Sequence, residues 1–172
     1  MLELPIVNEY DEIIGYKKRD DRNNQDIIRI SGLWIENENG EVLIARRALH
    51  KTRDPGKWGP AAAGTVEKGE TYQSNIIKEA HEEIGITVEE DDIIHIGTFL
   101  EKTEHRYFAG VFYASIPSDT PFVLEPDEVA EIRWISWPDL EKEILEKPES
   151  FLLSLERGIM QHIKKWKETK VV

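Results

Sequence analysis

Residues 64–86 read GTVEKGETYQSNIIKEAHEEIGI, and the interpretation of the whole chain starts from this stretch. Its second half has the composition of a helix over about 71–84, with Thr71 as the N-cap and Gly85 just past the end. Glu79, Glu82 and Glu83 are spaced three, four and one residues apart, so a helix gathers them within an arc of roughly 100°. The sequence therefore predicts a cluster of carboxylates on one flank of this helix.

An acidic helix face is most often a solvated surface, because Glu is a good helix former. Here an apolar stripe of Ile77, Ala80 and Ile84 runs beside the acidic one, so we expect the helix to pack on a core and leave the carboxylates along its flank. Like charges at this spacing repel by roughly a few tenths of a kcal/mol per pair, and a bound cation would turn that repulsion into coordination. Oxygen-only ligands favour Mg²⁺ or Mn²⁺.

The spacing resembles the signature of the Nudix hydrolases: Gly, five residues, Glu, seven residues, Arg-Glu, an aliphatic residue, any residue, Glu-Glu, any residue, Gly and an aliphatic residue. The chain departs from this pattern at Lys78, which occupies the Arg position, and at Ala63, where many members have a further glycine. Lys keeps the positive charge but lacks the planar fork of Arg. The residues in register are Gly64, Glu70, Glu79, Ala80, Glu82, Glu83, Gly85 and Ile86.

The remaining pattern predicts an α/β protein, because strands alternate with a few helices. The resemblance implies the Nudix fold, a mixed β-sheet sandwiched between helices in α/β/α layers. We expect residues 1–26 to form an N-terminal strand extension that packs on the domain, and residues 27–172 to form the Nudix hydrolase domain with its C-terminal helices. Strands are predicted at 4–8, 13–17, 27–35, 41–45, 93–100, 106–115 and 131–135, and further helices at 137–145 and 149–167.

Composition limits the class of protein. With 172 residues and 40% hydrophobic content the chain can form one domain with a substantial core. It contains no cysteine, which excludes disulfides, thiolate metal sites and cysteine nucleophiles. No apolar run approaches 18 residues, and we expect a cytoplasmic protein with no membrane attachment. The net charge of −12 argues against binding to nucleic-acid backbones or anionic membranes.

Positive charge is concentrated between residues 46 and 57, where the only acid is Asp54. This segment is either an ordinary exposed basic loop or a set of cations that the fold brings to the carboxylates. In the second case we expect Arg46, Arg47 and Arg53 to bind phosphate oxygens of a substrate.

The resemblance implies hydrolysis of a nucleoside diphosphate linked to another moiety, or of a similar phosphoanhydride. Glu79, Glu82 and Glu83 would be metal ligands, joined by the backbone carbonyl near Gly64. Glu79 is also the first candidate to deprotonate or orient the attacking water, and Lys78 would support the carboxylates in the catalytic centre. Residues of the later loops could take the part of the base instead, with Glu104, Glu125 and Glu128 as the main candidates and Asp127, Glu131 and His105 beside them.

Two other functions stay open. The N-terminal strands resemble the opening of the Nudix branch that includes isopentenyl diphosphate isomerases, but those isomerases use a cysteine next to the signature glycine, where this chain has Ala63. A nucleotide-binding module that has kept the fold and lost catalysis is the second. A homodimer could form through the apolar face of the last helix or through the N-terminal strands, although either could equally cover the domain's own core.

Overall fold

The structure is a computed structural model that describes residues 2–102 and 105–170, apart from the side chains of residues 156 and 157. Within these residues the chain forms strands β1 to β9 and helices α1 to α3. In chain order the elements are β1 (Glu3–Val7), β2 (Ile13–Lys18), β3 (Ile28–Glu36), β4 (Glu41–Arg47), β5 (Trp58–Pro60), β6 (Ala62–Thr65), α1 (Tyr72–Ile84), β7 (Ile94–Lys102), β8 (Arg106–Ser115), β9 (Val129–Ser136), α2 (Trp137–Glu146) and α3 (Met160–Glu168).

The main sheet is mixed, as predicted. Strands β3 and β8 pair in parallel along their whole length, from Ile28 opposite Tyr107 to Glu36 opposite Ser115. The other pairings of this sheet are antiparallel. β7 pairs with the free edge of β8, and β6 and β4 both pair with the second edge of β3. β4 also pairs with β9 and with β5. The predicted β3–β4 hairpin is confirmed, although its two strands pair only next to the turn before they diverge.

Side chains alternate between the two faces of the sheet, and each face is covered by helix. Helix α1 covers one face, where Leu33 and Ile35 of β3 lie in one buried cluster with Ile76 and Ile84 of the helix. Helices α2 and α3 cover the other face, where Trp34 of β3 lies in one buried cluster with apolar residues of both helices. The predicted α/β/α layering is therefore confirmed.

Helix α1 has the ends that its sequence predicts. The Thr71 hydroxyl oxygen accepts a hydrogen bond from the Ser74 backbone N–H at 3.0 Å, and Ser74 Oγ accepts one from the Thr71 N–H at 2.9 Å. Gly85 ends the helix with φ of 72°, in the left-handed region that glycine adopts without strain. Beyond it, the N–H groups of Val123 and Glu125 donate to the last helical carbonyls at 3.0 and 2.9 Å, which fixes the segment before β9 against the end of α1.

Strands β1 and β2 form a separate two-stranded sheet that packs on the main one. Leu4 and Ile6 are buried against Ile28, and the Asp11 side chain in the β1–β2 turn reaches the main domain. There the Asp11 carboxylate accepts hydrogen bonds from Arg29 Nε at 2.7 Å and from the Tyr72 hydroxyl at 3.1 Å. The N-terminal hairpin is thus tied to the first residue of α1.

The predicted helix over 149–167 is wrong at its start. Pro148–Ser150 is a short 3-10 turn, and Phe151 forms a parallel bridge with Trp58, with the Leu152 N–H donating to the Trp58 carbonyl at 3.0 Å. This extended segment interrupts the helical pattern, because buried Phe151 is held at the end of β5. Continuous helix begins only at residue 153 and contains a π-helical turn before α3.

The apolar face of this last helix lies inside the domain's own core. Leu155, Ile159 and Ile163 are buried in the cluster below the sheet, so they are not available as a dimer surface. No helix in the described part of the chain is long and apolar enough to cross a membrane.

Two glycines with positive φ provide a test of how α1 is joined to the segment before β9. Alanine at Gly85 would place its Cβ 2.7 Å from Val123 Cβ and 2.8 Å from the Val123 carbonyl oxygen, whereas a Cβ at Gly40 meets nothing within 4 Å. We expect Gly40→Ala to cost about 1–2 kcal/mol, from backbone strain alone. Gly85→Ala should cost about 1–3 kcal/mol more, because Val123 must also move. Urea unfolding measures both, and equal losses would contradict the close packing at Val123.

Candidate functional site

An open cleft of about 550 Å³ runs along the acidic flank of α1. The structure brings the predicted Glu79, Glu82 and Glu83 to this cleft, together with two of the later-loop candidates. Of the other candidates, Asp127 lies 3.4 Å from His50, Glu131 lies 3.5 Å from Arg46, and Glu104 falls outside the described residues. The residues lining the cleft are Glu79, His81, Glu82, Glu83, Glu125 and Glu128.

Glu83 is almost fully buried at the back of this site. Its Oε2 accepts a hydrogen bond from the Ala63 N–H at 2.9 Å, which ties α1 to the turn before Gly64. Burial raises the pKa of Glu83 to about 8, against the hydrogen bond from Ala63. The carboxylates of Glu79 and Glu128 act in the same direction as burial, and Arg47 acts against it.

Glu79 lies directly over Gly64. A Cβ at Gly64 would be 2.1 Å from Glu79 Oε1, so the carboxylate occupies the space that only a glycine leaves. Burial raises the pKa of Glu79 to about 7, partly offset by Lys78 and reinforced by Glu82. Burial thus raises the pKa of both carboxyl groups, and the nearby cations only partly offset it.

Asn75 is a residue of the site that the sequence prediction missed. It is fully buried one turn before Glu79, and its Nδ2 lies 2.9 Å from Glu70 Oε2, 3.2 Å from the Thr65 carbonyl and 3.3 Å from Glu79 Oε1. Ser31 Oγ donates to Asn75 Oδ1, which orients the amide so that its N–H groups face these acceptors. The available signal was an Asn within a helix and beside apolar Ile76, because Asn is a poor helix former.

Lys78 faces the acids of the turn that precedes α1. Its Nζ lies 2.6 Å from Glu70 Oε1, 3.6 Å from Glu67 Oε2 and 3.9 Å from Glu79 Oε1. Burial acts to raise the pKa of Glu70, but the hydrogen bonds from Lys78, the Glu67 N–H and Asn75 outweigh it, so the pKa is lowered. Lys78 thus holds Glu70 ionised and reaches Glu79 only as a more distant charge.

The structure separates the three predicted arginines. Arg47 is close enough to Glu83 to lower the pKa of that carboxyl group, and its Nε donates to the Arg53 carbonyl at 3.3 Å. Arg46 instead binds the Gly56 carbonyl at 2.9 Å and pairs with Glu131. The Arg53 side chain has no hydrogen bond or ion pair with the described residues, and it lies near Arg22, whose buried Nε also lacks a partner among them.

The donor set fits a hard divalent cation. Within the part of the chain that the structure describes, no three acidic or imidazole side chains are close enough together to enclose a metal ion. The carboxylates instead line one open cleft, and rotation of their side chains would be needed to bring them onto one ion. All are oxygen donors. Burial raises the pKa of Glu79 and Glu83, with repulsion from neighbouring carboxylates in addition, and a divalent cation would stabilise their ionised forms.

Comparison with known proteins settles the family. A family model described as the NUDIX domain matches residues 27–154. The chain belongs to the Nudix family. It is therefore a Nudix-type pyrophosphohydrolase, an enzyme of a family that acts on small-molecule diphosphates and generally needs a divalent metal.

Several known proteins are similar over most of the chain. An uncharacterised Nudix hydrolase of Pseudomonas aeruginosa is 34% identical over 132 residues, which cover 75% of each chain. An isopentenyl-diphosphate Delta-isomerase of Cereibacter sphaeroides is 31% identical over 134 residues, which cover 72% of each. A crystal structure of a Deinococcus radiodurans protein superposes with a TM-score of 0.80 at 24% identity, over 92% of this chain and 97% of that one, which shows a shared fold.

The raised pKa of Glu83 predicts a pH-dependent loss of stability in the metal-free Nudix protein. Its folded-state pKa of about 8 exceeds the ordinary 4.5, so the folded state binds more protons than the unfolded state between these values. The contribution of Glu83 to the free energy of unfolding is fully present below pH 4.5 and is lost as pH rises through 8. Relative to wild type, Glu83→Gln should be neutral near pH 4.5 and more stable by about 1–3 kcal/mol above pH 8.

Urea unfolding with a chelator present, at acidic and alkaline pH, measures this difference. Glu82→Gln is the matched control, because Glu82 is an exposed member of the same cluster and should change little at either pH. A Glu83→Gln variant no more stable than wild type in alkali would contradict the buried, uncompensated carboxylate.

The contact between Ser31 and Asn75 predicts that their substitutions are not additive. Asn75→Ala should cost about 2–3 kcal/mol, because it leaves buried polar partners unpaired, and Ser31→Ala about 1 kcal/mol. The double variant should lose about 1 kcal/mol less than the sum, because the second substitution breaks a contact already lost. Urea unfolding of all four proteins gives the coupling, with Gln161→Ala at an exposed position of α3 as the control. Strict additivity would show that Ser31 does not orient the Asn75 amide.

Proposed function

We propose that the protein hydrolyses a nucleoside diphosphate linked to another moiety, or a similar phosphoanhydride, with the help of Mg²⁺ or Mn²⁺. Glu79, Glu82 and Glu83 would hold the cation, with the backbone carbonyl of Gly64 as a further oxygen ligand. When bound, such a cation neutralises diphosphate oxygens and lowers the pKa of water.

The observation that carries this proposal is a buried carboxylate beside a half-buried one at the cleft. Glu83 is almost fully removed from water, Glu79 is partly removed, and the two repel each other, so both have raised pKa values and the metal-free site is destabilised by its own charge. Gly64 leaves the space in which the Glu79 carboxylate fits. Protein folds rarely keep such an arrangement without a ligand that binds the ionised form, and perturbed carboxyl groups in a cleft favour a catalytic site.

We assign the proton-accepting role to Glu79. A general base must lie within hydrogen-bond reach of the water that it activates, and Glu79 lines the cleft beside the other proposed cation ligands, Glu82 and Glu83. Asn75 and Lys78 would hold this carboxylate in place from the side away from the cleft lining. Glu125 and Glu128 are the alternative bases, but Glu128 is already paired with Lys51 at 2.6 Å.

The substrate phosphates would meet Arg47 and Arg53. Arg47 is the arginine nearest the carboxylates, and Arg53 has a guanidinium group free of described partners, so either can bind anionic oxygens without first losing an ion pair. Arg46 is the weakest of the three predicted ligands, because it must leave Glu131 before it can bind a substrate.

Isomerisation of an isopentenyl diphosphate is the competing activity, since isomerases are among the similar proteins. The position next to Gly64 is Ala63, whose methyl group can neither accept nor donate a proton and whose N–H is engaged with Glu83. The residues beside the signature glycine therefore favour hydrolysis over a proton-shuttling isomerase.

The test is a turnover assay with Mg²⁺ on nucleoside diphosphate sugars, dinucleoside polyphosphates, nucleotide cofactors, nucleoside triphosphates and isopentenyl diphosphate. We expect metal-dependent release of a monophosphate from at least one nucleotide. Glu79→Gln and Glu83→Gln should each lower kcat/KM by at least about 100-fold. Each removes a ligand of the cation that stabilises the negative charge of the transition state. Glu168→Gln on α3 is the control and should leave turnover unchanged.

Each other outcome selects a different function. Turnover that survives both substitutions would overturn the site assignment. Conversion of isopentenyl diphosphate alone would establish an isomerase. Absence of turnover, with Mn²⁺ binding retained, would establish a binding module.

A further inference from the structure

Strand β2 has a free edge with apolar side chains along it. Its first edge pairs with β1, and it makes no further strand pairing within residues 2–102 and 105–170. Ile13, Ile14 and Tyr16 are 46%, 67% and 44% exposed. A free strand edge presents unpaired N–H and C=O groups and is a template for another strand.

The charges on either side of β2 select the direction of that other strand. Acidic Asp11 and Glu12 precede its apolar residues, and basic Lys17, Lys18 and Arg19 follow them. Antiparallel pairing with a second copy places acids opposite bases at both ends, whereas parallel pairing places like charges together. Opposite charges directly across a sheet stabilise pairing and like charges oppose it.

One register of two antiparallel copies of β2 pairs both the apolar residues and the opposite charges, and Gly15 lies at its centre. If Gly15 faces Gly15 of the second copy, then Ile14 faces Tyr16 and Glu12 faces Lys18, each twice by symmetry. Open space surrounds the centre, since a Cβ at Gly15 meets nothing within 4 Å. Lys18 is exposed, and Glu3, which lies opposite it on β1, is paired with Lys68 at 2.6 Å. Glu12 accepts a hydrogen bond from the neutral Asn8 side chain at 2.7 Å, and neither Glu12 nor Lys18 is in an ion pair among the described residues. Asp11 and Lys17 are already bound, to Arg29 and Asp26.

We propose that the protein forms a two-fold homodimer in which β2 pairs antiparallel with β2 of a second copy, joining the two N-terminal hairpins into one four-stranded sheet. A second copy of the chain fits the free edge of β2, because the acidic start and the basic end of this strand are complementary to those of an antiparallel copy. The other candidate surface is absent, because the apolar face of the last helix is buried in the domain. This assembly does not depend on the proposed catalytic activity.

A charge exchange tests the register. Glu12→Lys and Lys18→Glu each turn two attractive pairs into repulsive ones, so each variant alone should dimerise at least roughly tenfold more weakly than wild type. Mixed together, the two variants form two attractive pairs, one in the original and one in the reversed orientation, and should give a heterodimer. Sedimentation equilibrium measures both, with Glu168→Lys and Lys170→Glu as controls of equal charge change. These controls should dimerise like wild type.

A single cysteine tests the centre of symmetry in a chain that has none. Facing residues of an antiparallel pair have Cα atoms about 4.5–5.5 Å apart, within the range that a disulfide spans. Gly15→Cys should therefore form a covalent dimer under mild oxidation, and Glu168→Cys should not. A wild-type protein that is monomeric at all concentrations would overturn the proposal, as would a dimer insensitive to both charge variants or a Gly15→Cys variant that does not crosslink faster than the control.

Discussion

The site depends on one constraint: a buried carboxylate, Glu83, and a half-buried one, Glu79, lie against the turn at Gly64, and the nearby cations only partly offset the effect of burial on them. Glu83 is held by the Ala63 N–H, and Glu79 fills the space above Gly64. Each contact fixes α1 against β6, and β6 in turn pairs with β3 in the centre of the sheet. The position of the acidic helix is therefore set by contacts of the same two side chains whose burial and mutual repulsion are unfavourable without a ligand.

The polar groups behind the carboxylates explain how a lysine can serve where the family signature has arginine. Lys78 makes its short contact with Glu70, whereas the Glu79 carboxylate is approached from behind by the Asn75 amide. A planar guanidinium group could orient two carboxylates at once. In this protein the Lys78 ammonium group binds Glu70 and the buried Asn75 amide binds Glu79. Ser31 on β3 completes the arrangement by fixing which end of the amide faces the acids.

The sequence was sufficient for those features that depend on local chemistry and spacing. The caps at Thr71 and Gly85, the flank of glutamates and the layered α/β fold were all predictable from residues close together in the chain. Contacts between distant segments were not predictable: Ser31 and Asn75 meet only because β3 lies under α1, and Arg46 and Arg47 separate because β4 turns neighbouring side chains to different surroundings. The helix expected from residue 149 failed for the same reason, since the contact of Phe151 with Trp58 outweighed local helical periodicity.

The parallel pairing of β3 with β8 also determines when the site can form as the chain folds. These two central strands are far apart in sequence, and the segment between them contains β4, β6 and the whole of α1. Closing such a long loop costs chain entropy before any contact repays it, so topologies of this kind fold slowly. During synthesis, helix α1 leaves the ribosome before β8 does. Glu79 and Glu83 lie on one helix and are close from the start, but the sheet against which α1 packs is complete only once β8 has joined its centre.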